Sequence, residues 1–423
     1  MRVAFTTLGC KINQYETDVM RQAAAAEGNA IVPFDAEADV YVINTCSVTA
    51  KSDYQCRQTI RAAIRRREGA RVIVTGCYAA TRPQEIRSIP GVSMVLGNGE
   101  KASITRYLSG PEIPIQEPAA HCREAVMTRT REYLKIQDGC DSRCTYCIVP
   151  LARGASRSVP REEVVTMFDR AVNRDCPEVV LSGIHIGRYG HDLLPQESLT
   201  GLVRELLARK KQARIRLSSI EPNEITDDLI SMLGRGLCRH LHIPLQSGDD
   251  AILRSMNRSY GTDLYRKLAE TVATNVPDIA IGADVMVGFP GEGEKEFQNT
   301  YDLVRDLPLT HLHVFSYSPR PGTPAAAMKG QVPDRTKKER PEALRVLASR
   351  KNRDFRERLK GKTLQVVLEE GQRDEIGTSS GLSDNYVRVH VQGGQKADIG
   401  REINIRISDI NESGLIGIFS STS

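Results

Sequence analysis

Tryptophan is absent from this chain, and aromatic residues make up only 5% of it. A ring platform on which single-stranded bases stack is therefore not expected. No apolar run is long enough to span a bilayer, so no membrane partner is expected. The opening Met1–Cys10 lacks the basic start, long apolar stretch and small-residue cleavage site of a secretory signal. It reads instead as a buried strand. A cytoplasmic location follows as an expectation, and structural disulfides are rare there. Ten cysteines in that compartment call for a metal or redox account. Internal repeats and low-complexity tracts are also missing.

What is present fits a globular protein of several domains. At 423 residues the chain exceeds one ordinary core, and two to four domains are expected. Apolar residues make up 40% and charged residues 26%. The net charge of +5 is too small to name a partner. Its distribution is uneven. Arg57 to Arg71 holds six arginines and one glutamate, and Asp334 to Lys362 holds twelve Lys/Arg against five Asp/Glu. Such patches suit a phosphate backbone, although each could be only a solvated helix face.

Short apolar strands alternate with helical stretches in the first segment. Strands are expected at Val3–Leu8, Val40–Asn44, Val72–Thr75 and Val92–Leu96, and helices at Glu16–Glu27 and Tyr54–Arg67. Alternation of this kind predicts an α/β fold with a doubly wound parallel sheet. Gly110, Pro111, Pro114 and Pro118 then mark a linker. Six further strands follow at Glu132–Gln137, Val179–Ser182, Ile215–Ser218, His240–Pro244, Ala280–Val287 and His311–Tyr317. Six βα units are fewer than the eight of a closed barrel and predict a partial (βα)6 barrel. A basic helix at about Arg335–Leu359 ends it. The tail predicts a small all-β barrel with strands at Leu364–Glu369, Tyr386–Val391, Ile403–Ile407 and Leu415–Phe419. Domains are expected at 1–118, 126–358 and 359–423.

Cys140, Cys144 and Cys147 fall within eight residues just after a barrel strand. Three thiolates on a four-iron cluster leave one iron open to an external ligand, where a fourth cysteine would close it. A structural zinc site is the bland alternative. It wants four ligands, usually from two half-sites, and no second pair follows. The CxxxCxxC spacing resembles the radical S-adenosylmethionine (SAM) superfamily over roughly residues 130–330. In that superfamily the open iron takes the amino and carboxylate groups of SAM. By resemblance, Tyr146 packs beside the adenine, and Ser182 and Gly183 meet the amino group. Ser218 and Glu221 after the third strand, and Gln246 after the fourth, complete the expected cofactor-binding set. Barrels place chemistry at such strand ends. Singly, Ser218, Ser219 and Ser247 could equally be helix caps, and Gly288 and Gly291 could mark only a turn.

Cys10, Cys46 and Cys77 each lie just past the carboxyl end of a strand, where parallel sheets bind ligands. They are expected to converge on a second three-cysteine cluster. The alternative is three unrelated buried thiols, which suits Cys56, Cys122, Cys176 and Cys238 better.

Two such cysteine sets followed by a small β-barrel resemble the methylthiotransferases, which carry a methylthiotransferase domain, a radical SAM domain and a TRAM domain. The resemblance covers essentially the whole chain. The form Gly9-Cys10-Lys11-Ile12-Asn13-Gln14-Tyr15-Glu16 resembles the MtaB-type branch more than the MiaB or RimO forms, and Asn44-Thr45-Cys46-Ser47-Val48-Thr49 supports the same family. The resemblance implies an enzyme that installs a methylthio group on carbon-2 of N6-threonylcarbamoyladenosine beside the tRNA anticodon. It implies two [4Fe-4S] clusters and SAM as cofactors. It implies as partners the tRNA anticodon loop, a one-electron reductant such as flavodoxin or ferredoxin, and a sulfur source. The unactivated ring carbon needs radical chemistry from the cofactor, so no side-chain acid or base is assigned. Alternatives are isopentenyladenosine in tRNA, a ribosomal protein side chain, or a two-cluster electron carrier or sensor. TRAM domains are thought to hold RNA, yet residues 360–423 carry seven Lys/Arg against nine Asp/Glu. The basic helices are therefore the expected RNA contacts.

Overall fold

A computed structural model describes residues 1–108, 130–369, 379–392 and 398–419. The expected linker and Cys122 lie outside the described residues. The chain forms two compact units. The first comprises, among the described residues, 1–108, 138–156 and 318–326, and the second the remainder.

In the first unit β1 (Arg2–Thr7), β2 (Ala30–Val32), β3 (Val40–Thr45), β4 (Arg71–Gly76) and β5 (Met94–Val95) form one parallel sheet in the order β2-β1-β3-β4-β5. Every residue of β3 is buried. Tyr41 and Ile43 pack with Ile60 on one face, while Val40 and Val42 pack with Met20 on the other. A sheet covered on both faces explains the continuous apolar run. Helix α1 (Lys11–Ala26) starts five residues before the expected Glu16. Helix α2 (Ala50–Arg66) starts four before Tyr54, because Thr49 and Ser52 form a capping box there. Helix α3 (Cys77–Thr81) leaves β4 at once, and α4 (Val149–Arg153) follows the CxxxCxxC motif.

The second unit begins with the partial barrel: β6 (Arg131–Lys135), β7 (Glu178–Ser182), β8 (Arg214–Leu217), β9 (His240–His242), β10 (Ala280–Val287) and β11 (His311–Ser316). Two parallel triplets, β6-β7-β8 and β9-β10-β11, meet through the Ile215–Leu237 bridge and an Ile220 N–H bond to the His242 carbonyl at 3.0 Å. Helices α5 (Arg161–Asn173), α6 (Leu199–Arg209), α7 (Thr262–Asn275) and α8 (Glu294–Asp306) lie between strands. Val179, Leu181, Ile281, Ala283 and Val285 share one apolar cluster with Phe168, Leu202 and Tyr265 of those helices. Alternation along β10 then puts Gly282, Asp284 and Met286 on the barrel's inner face. Helix α9 (Asp334–Glu357) is the basic one.

The tail is a closed barrel of five strands: β12 (Thr363–Glu369), β13 (Ser379–Ser383), β14 (Arg388–Gln392), β15 (Glu402–Ile410) and β16 (Leu415–Phe419). Sequence patterning misses β13, because Ser-Ser-Gly-Leu-Ser reads as turn. Pairing to β12 makes it a strand, and Gly381 is required because a Cβ there would lie 2.4 Å from the Val367 carbonyl oxygen. Arg216 sits at the tail's interface with the partial barrel. It is fully buried, donates to Glu178 at 2.8 Å, and donates to the Ser383 and Asp384 carbonyls at 3.0 Å.

Candidate active site

Cys10 is the N-cap of α1, Cys46 directly follows β3, and Cys77 opens α3. Two left-handed glycines let these ends approach. A Cβ on Gly9 (φ +113°) would lie 2.7 Å from the Cys46 Cβ and 3.0 Å from its Sγ; one on Gly76 (φ +100°) would lie 2.3 Å from the Thr45 carbonyl oxygen. Asn13 ties β1 to β3, donating to the Leu8 and Thr45 carbonyls at 2.9 and 3.0 Å. Burial pushes the Cys46 thiol up, and the nearby charges of Cys77 and Cys10 push it further. None of the three is in a disulfide. Among the described residues, the thiols outside the two sets are held protonated: burial pushes Cys56 and Cys238 up to about 12 and Cys176 up to about 11.

The CxxxCxxC loop belongs to the same unit as those cysteines. Gly139 (φ +70°) starts it where a Cβ would lie 1.9 Å from the Ala155 carbonyl oxygen. The Cys140 N–H donates to the Gly154 carbonyl at 3.0 Å and the Ser142 N–H to the Cys140 sulfur at 3.4 Å, which curls the loop about its sulfurs. Cys140, Cys144 and Cys147 are all partly exposed. Tyr146 is half-buried beside Cys147. The Ala325 N–H holds the loop through the Thr145 carbonyl at 2.9 Å. Helix α4 packs on α3, so the helix after Cys147 rests on the helix headed by Cys77.

In the second unit, Ser182 closes β7 and is buried with Gly183 following. Ser218 and Gln246 follow the third and fourth strands. Ser218 Oγ and Gln246 Oε1 are buried without a hydrogen-bond partner among the described residues. Orphaned polar atoms of this kind fit a site that takes a polar ligand. Gln246 also holds a left-handed backbone, φ +64°. Glu221 pairs with Arg258. Ser247 is a turn residue, accepting from the Asp249 N–H at 3.2 Å. Ser218 makes no cap. Sequence reading singled out no role for His242 and His313, which flank Asp284 at 3.1 and 3.4 Å. Burial raises Asp284, but hydrogen bonds from the two histidines outweigh it and hold the carboxyl far below its usual range. An ionisable residue inside the apolar run Ala280–Val287 was the available signal. Lys101 and Arg153, buried in the first unit, gave none, and Glu16, buried with them, stood out only as the end of the Gly9–Glu16 form.

Residues 2–97 match the uncharacterized protein family UPF0004, and residues 134–304 match the radical SAM superfamily. A threonylcarbamoyladenosine tRNA methylthiotransferase MtaB of Bacillus subtilis is 39% identical, spanning 96% of this chain and 93% of its own. Its namesake in Thermotoga maritima is 35% identical, spanning 98% and 96%. A tRNA-2-methylthio-N(6)-dimethylallyladenosine synthase of Sphingopyxis alaskensis is 34% identical, spanning 97% and 95%. Among solved structures, the radical S-adenosylmethionine methyltransferase TsrM of Kitasatospora setae shares the fold at TM-score 0.58 and 16% identity, over 77% of each chain. With both family regions and near full-length relatives in agreement, this chain belongs to the radical SAM methylthiotransferase family and is a tRNA methylthiotransferase of it.

Proposed function

We propose that this enzyme methylthiolates carbon-2 of N6-threonylcarbamoyladenosine beside the tRNA anticodon, using SAM and two four-iron clusters. The observation that carries the two-cluster reading is the placement of both three-cysteine sets in one compact unit, with α4 packed on α3. Relatives named for threonylcarbamoyladenosine, at 39 and 35% identity, support the substrate over the dimethylallyl form at 34%, as does the Gly9-Cys10-Lys11-Ile12-Asn13 form. The domain reading is 1–118, 126–358 and 359–423, and a tRNA substrate places the enzyme in the cytoplasm.

Cys140, Cys144 and Cys147 would hold one cluster, and Cys10, Cys46 and Cys77 the other. When bound, the first supplies the electron that cleaves SAM to a hydrogen-abstracting radical, and the second supplies sulfur. The chain's own residues bind and orient. Three thiolates per cluster leave an iron free for a ligand. By resemblance to the superfamily, Tyr146 would pack beside the adenine. By the same resemblance, Ser182, Gly183, Ser218, Glu221 and Gln246 would supply polar groups to the rest of SAM. No side chain is required as acid or base. A one-electron reductant and a sulfur source complete the partners.

Mass spectrometry of tRNA nucleosides from cells with and without the protein tests the substrate. The methylthio group should vanish from threonylcarbamoyladenosine and remain on dimethylallyladenosine. The converse would reassign the substrate. A reduced, reconstituted protein that forms no 5′-deoxyadenosine from SAM would instead be a carrier or sensor.

A further inference from the structure

Arg153 ends α4 six residues past Cys147 and is 5% exposed. Its Nη1 donates to Glu16 Oε1 and to Asp138 Oδ1, each at 2.9 Å. Its Nη2 donates to Asn13 Oδ1 at 2.6 Å and Glu16 Oε2 at 3.3 Å. Lys101, also 5% exposed, donates to Glu16 Oε2 at 2.5 Å. These partners are distributed in a particular way. Asn13 lies three residues past Cys10 on α1, and Asp138 lies two before Cys140. One buried guanidinium therefore holds the flank of both cysteine sets.

A structural tie alone does not explain this choice. Burying two cations with two carboxylates costs desolvation that well-packed apolar groups would avoid. Arg153 also lies close to both cysteine sets, to one along the chain and to the other in space. Helix α4, which Arg153 ends, packs on α3, whose first residue is Cys77. A guanidinium stays charged at any accessible pH, and here Glu16 pairs with it at 2.9 Å.

We infer that Arg153 is a positioning residue joining the two cysteine sets, and that its fixed charge sets the reduction potential of the cluster on Cys10, Cys46 and Cys77. The inference rests on the two-cluster reading. Reduction adds one negative charge to a cluster, so a buried cation tied to the flank of the cysteine set favours the reduced form and raises the potential. Glu16 opposes it. The two residues touch each other yet act with opposite sign.

The test uses the full chain with Cys140, Cys144 and Cys147 replaced by Ala, so that one cluster is read alone. Iron is counted after anaerobic reconstitution, and the midpoint is taken by a redox titration followed by electron paramagnetic resonance. Arg153→Met should shift the midpoint to more negative potential, Arg153→Lys should restore part of the shift, and Glu16→Gln should move it the other way. Loss of packing alone would not produce opposite signs. Iron-loaded Arg153→Met and Glu16→Gln proteins that both keep the parent midpoint overturn the inference. If Arg153→Met takes up no iron, Arg153→Lys and Glu16→Gln decide, and unmoved midpoints in both overturn it. A parent protein that itself holds no iron would sink the two-cluster reading instead.

Discussion

Cysteine placement is decided by glycine geometry as much as by the thiols themselves. Gly139 has no room for a side chain: an added Cβ meets backbone at 1.9 Å, which no rotamer can relieve. Gly139→Ala should therefore abolish SAM cleavage and lower iron content. Gly69→Ala, with φ +76° but nothing within 4 Å, should cost only about 1–2 kcal/mol of backbone strain and leave activity intact. The pair separates crowding from conformation. Replacing Cys10, Cys46 and Cys77 by Ala should leave 5′-deoxyadenosine formation in place and eliminate the methylthio product; product at the parental rate would make them ordinary thiols. His311 gives a pH test. Burial, with the charges of His313, His242 and Arg356, holds it down to about 4. The unfolded chain takes that proton near the ordinary 6.5, so between 6.5 and about 4 the unfolded state binds more protons. Stability should fall as pH drops through that window, by roughly 3 kcal/mol for this group. His311→Gln should flatten the decline in a denaturant-midpoint series.

Among elements, strands buried on both faces were legible, and those made by partners were not. The β3 and β10 runs announced themselves as continuous apolar stretches. The strand Ser379–Ser383 did not, because its pairing supplies what its composition lacks. Strands β7 and β8 carry a second kind of information that patterning cannot reach. Glu178 is fully buried and accepts from Arg214 at 2.7 Å and Arg216 at 2.8 Å, while those arginines also donate to carbonyls of the tail. Burial raises the Glu178 carboxyl, but the two guanidiniums overcome it and hold it far below the usual range. Removing one partner strands buried charge. Glu178→Ala should cost roughly 3–5 kcal/mol, seen as a lowered thermal midpoint, and Glu178→Gln should recover only part of it.

For the whole molecule, charge counts overstated the surface available to RNA. Within the Asp334–Lys362 run, Arg340 is buried against Glu292, Lys351 donates to the Arg305 and Leu307 carbonyls, and Arg356 to those of Asn411 and Glu412. Similarly, in α2 and just after it, Arg57 binds Tyr78 and Glu85 and Arg67 binds Asp39. Arg345, Arg350 and Arg353 remain exposed on α9. Reversing these three should weaken tRNA binding by roughly tenfold and flatten its dependence on salt. The same reversal at the exposed Arg401 and Arg406 of the tail should do less. A flattened slope from the tail pair alone would return the RNA site to the tail barrel. Truncating the tail is no substitute, since it would expose Arg214 and Arg216 to loss of their partners.

The sequence by itself determined the chemistry and the layer order. Thiolate spacing is local, and a three-ligand motif on one loop needs no tertiary fold to be read. Strand and helix periodicity is local too, so the parallel sheet, the partial barrel and most of the tail were visible. Only the tertiary structure decided which unit owns the CxxxCxxC loop, because compactness depends on contacts between residues such as Asn13 and Arg153 that are far apart in sequence. It also decided which charges are structural. An arginine looks the same in a sequence whether it meets water or Glu178, and only burial settles which interaction it makes.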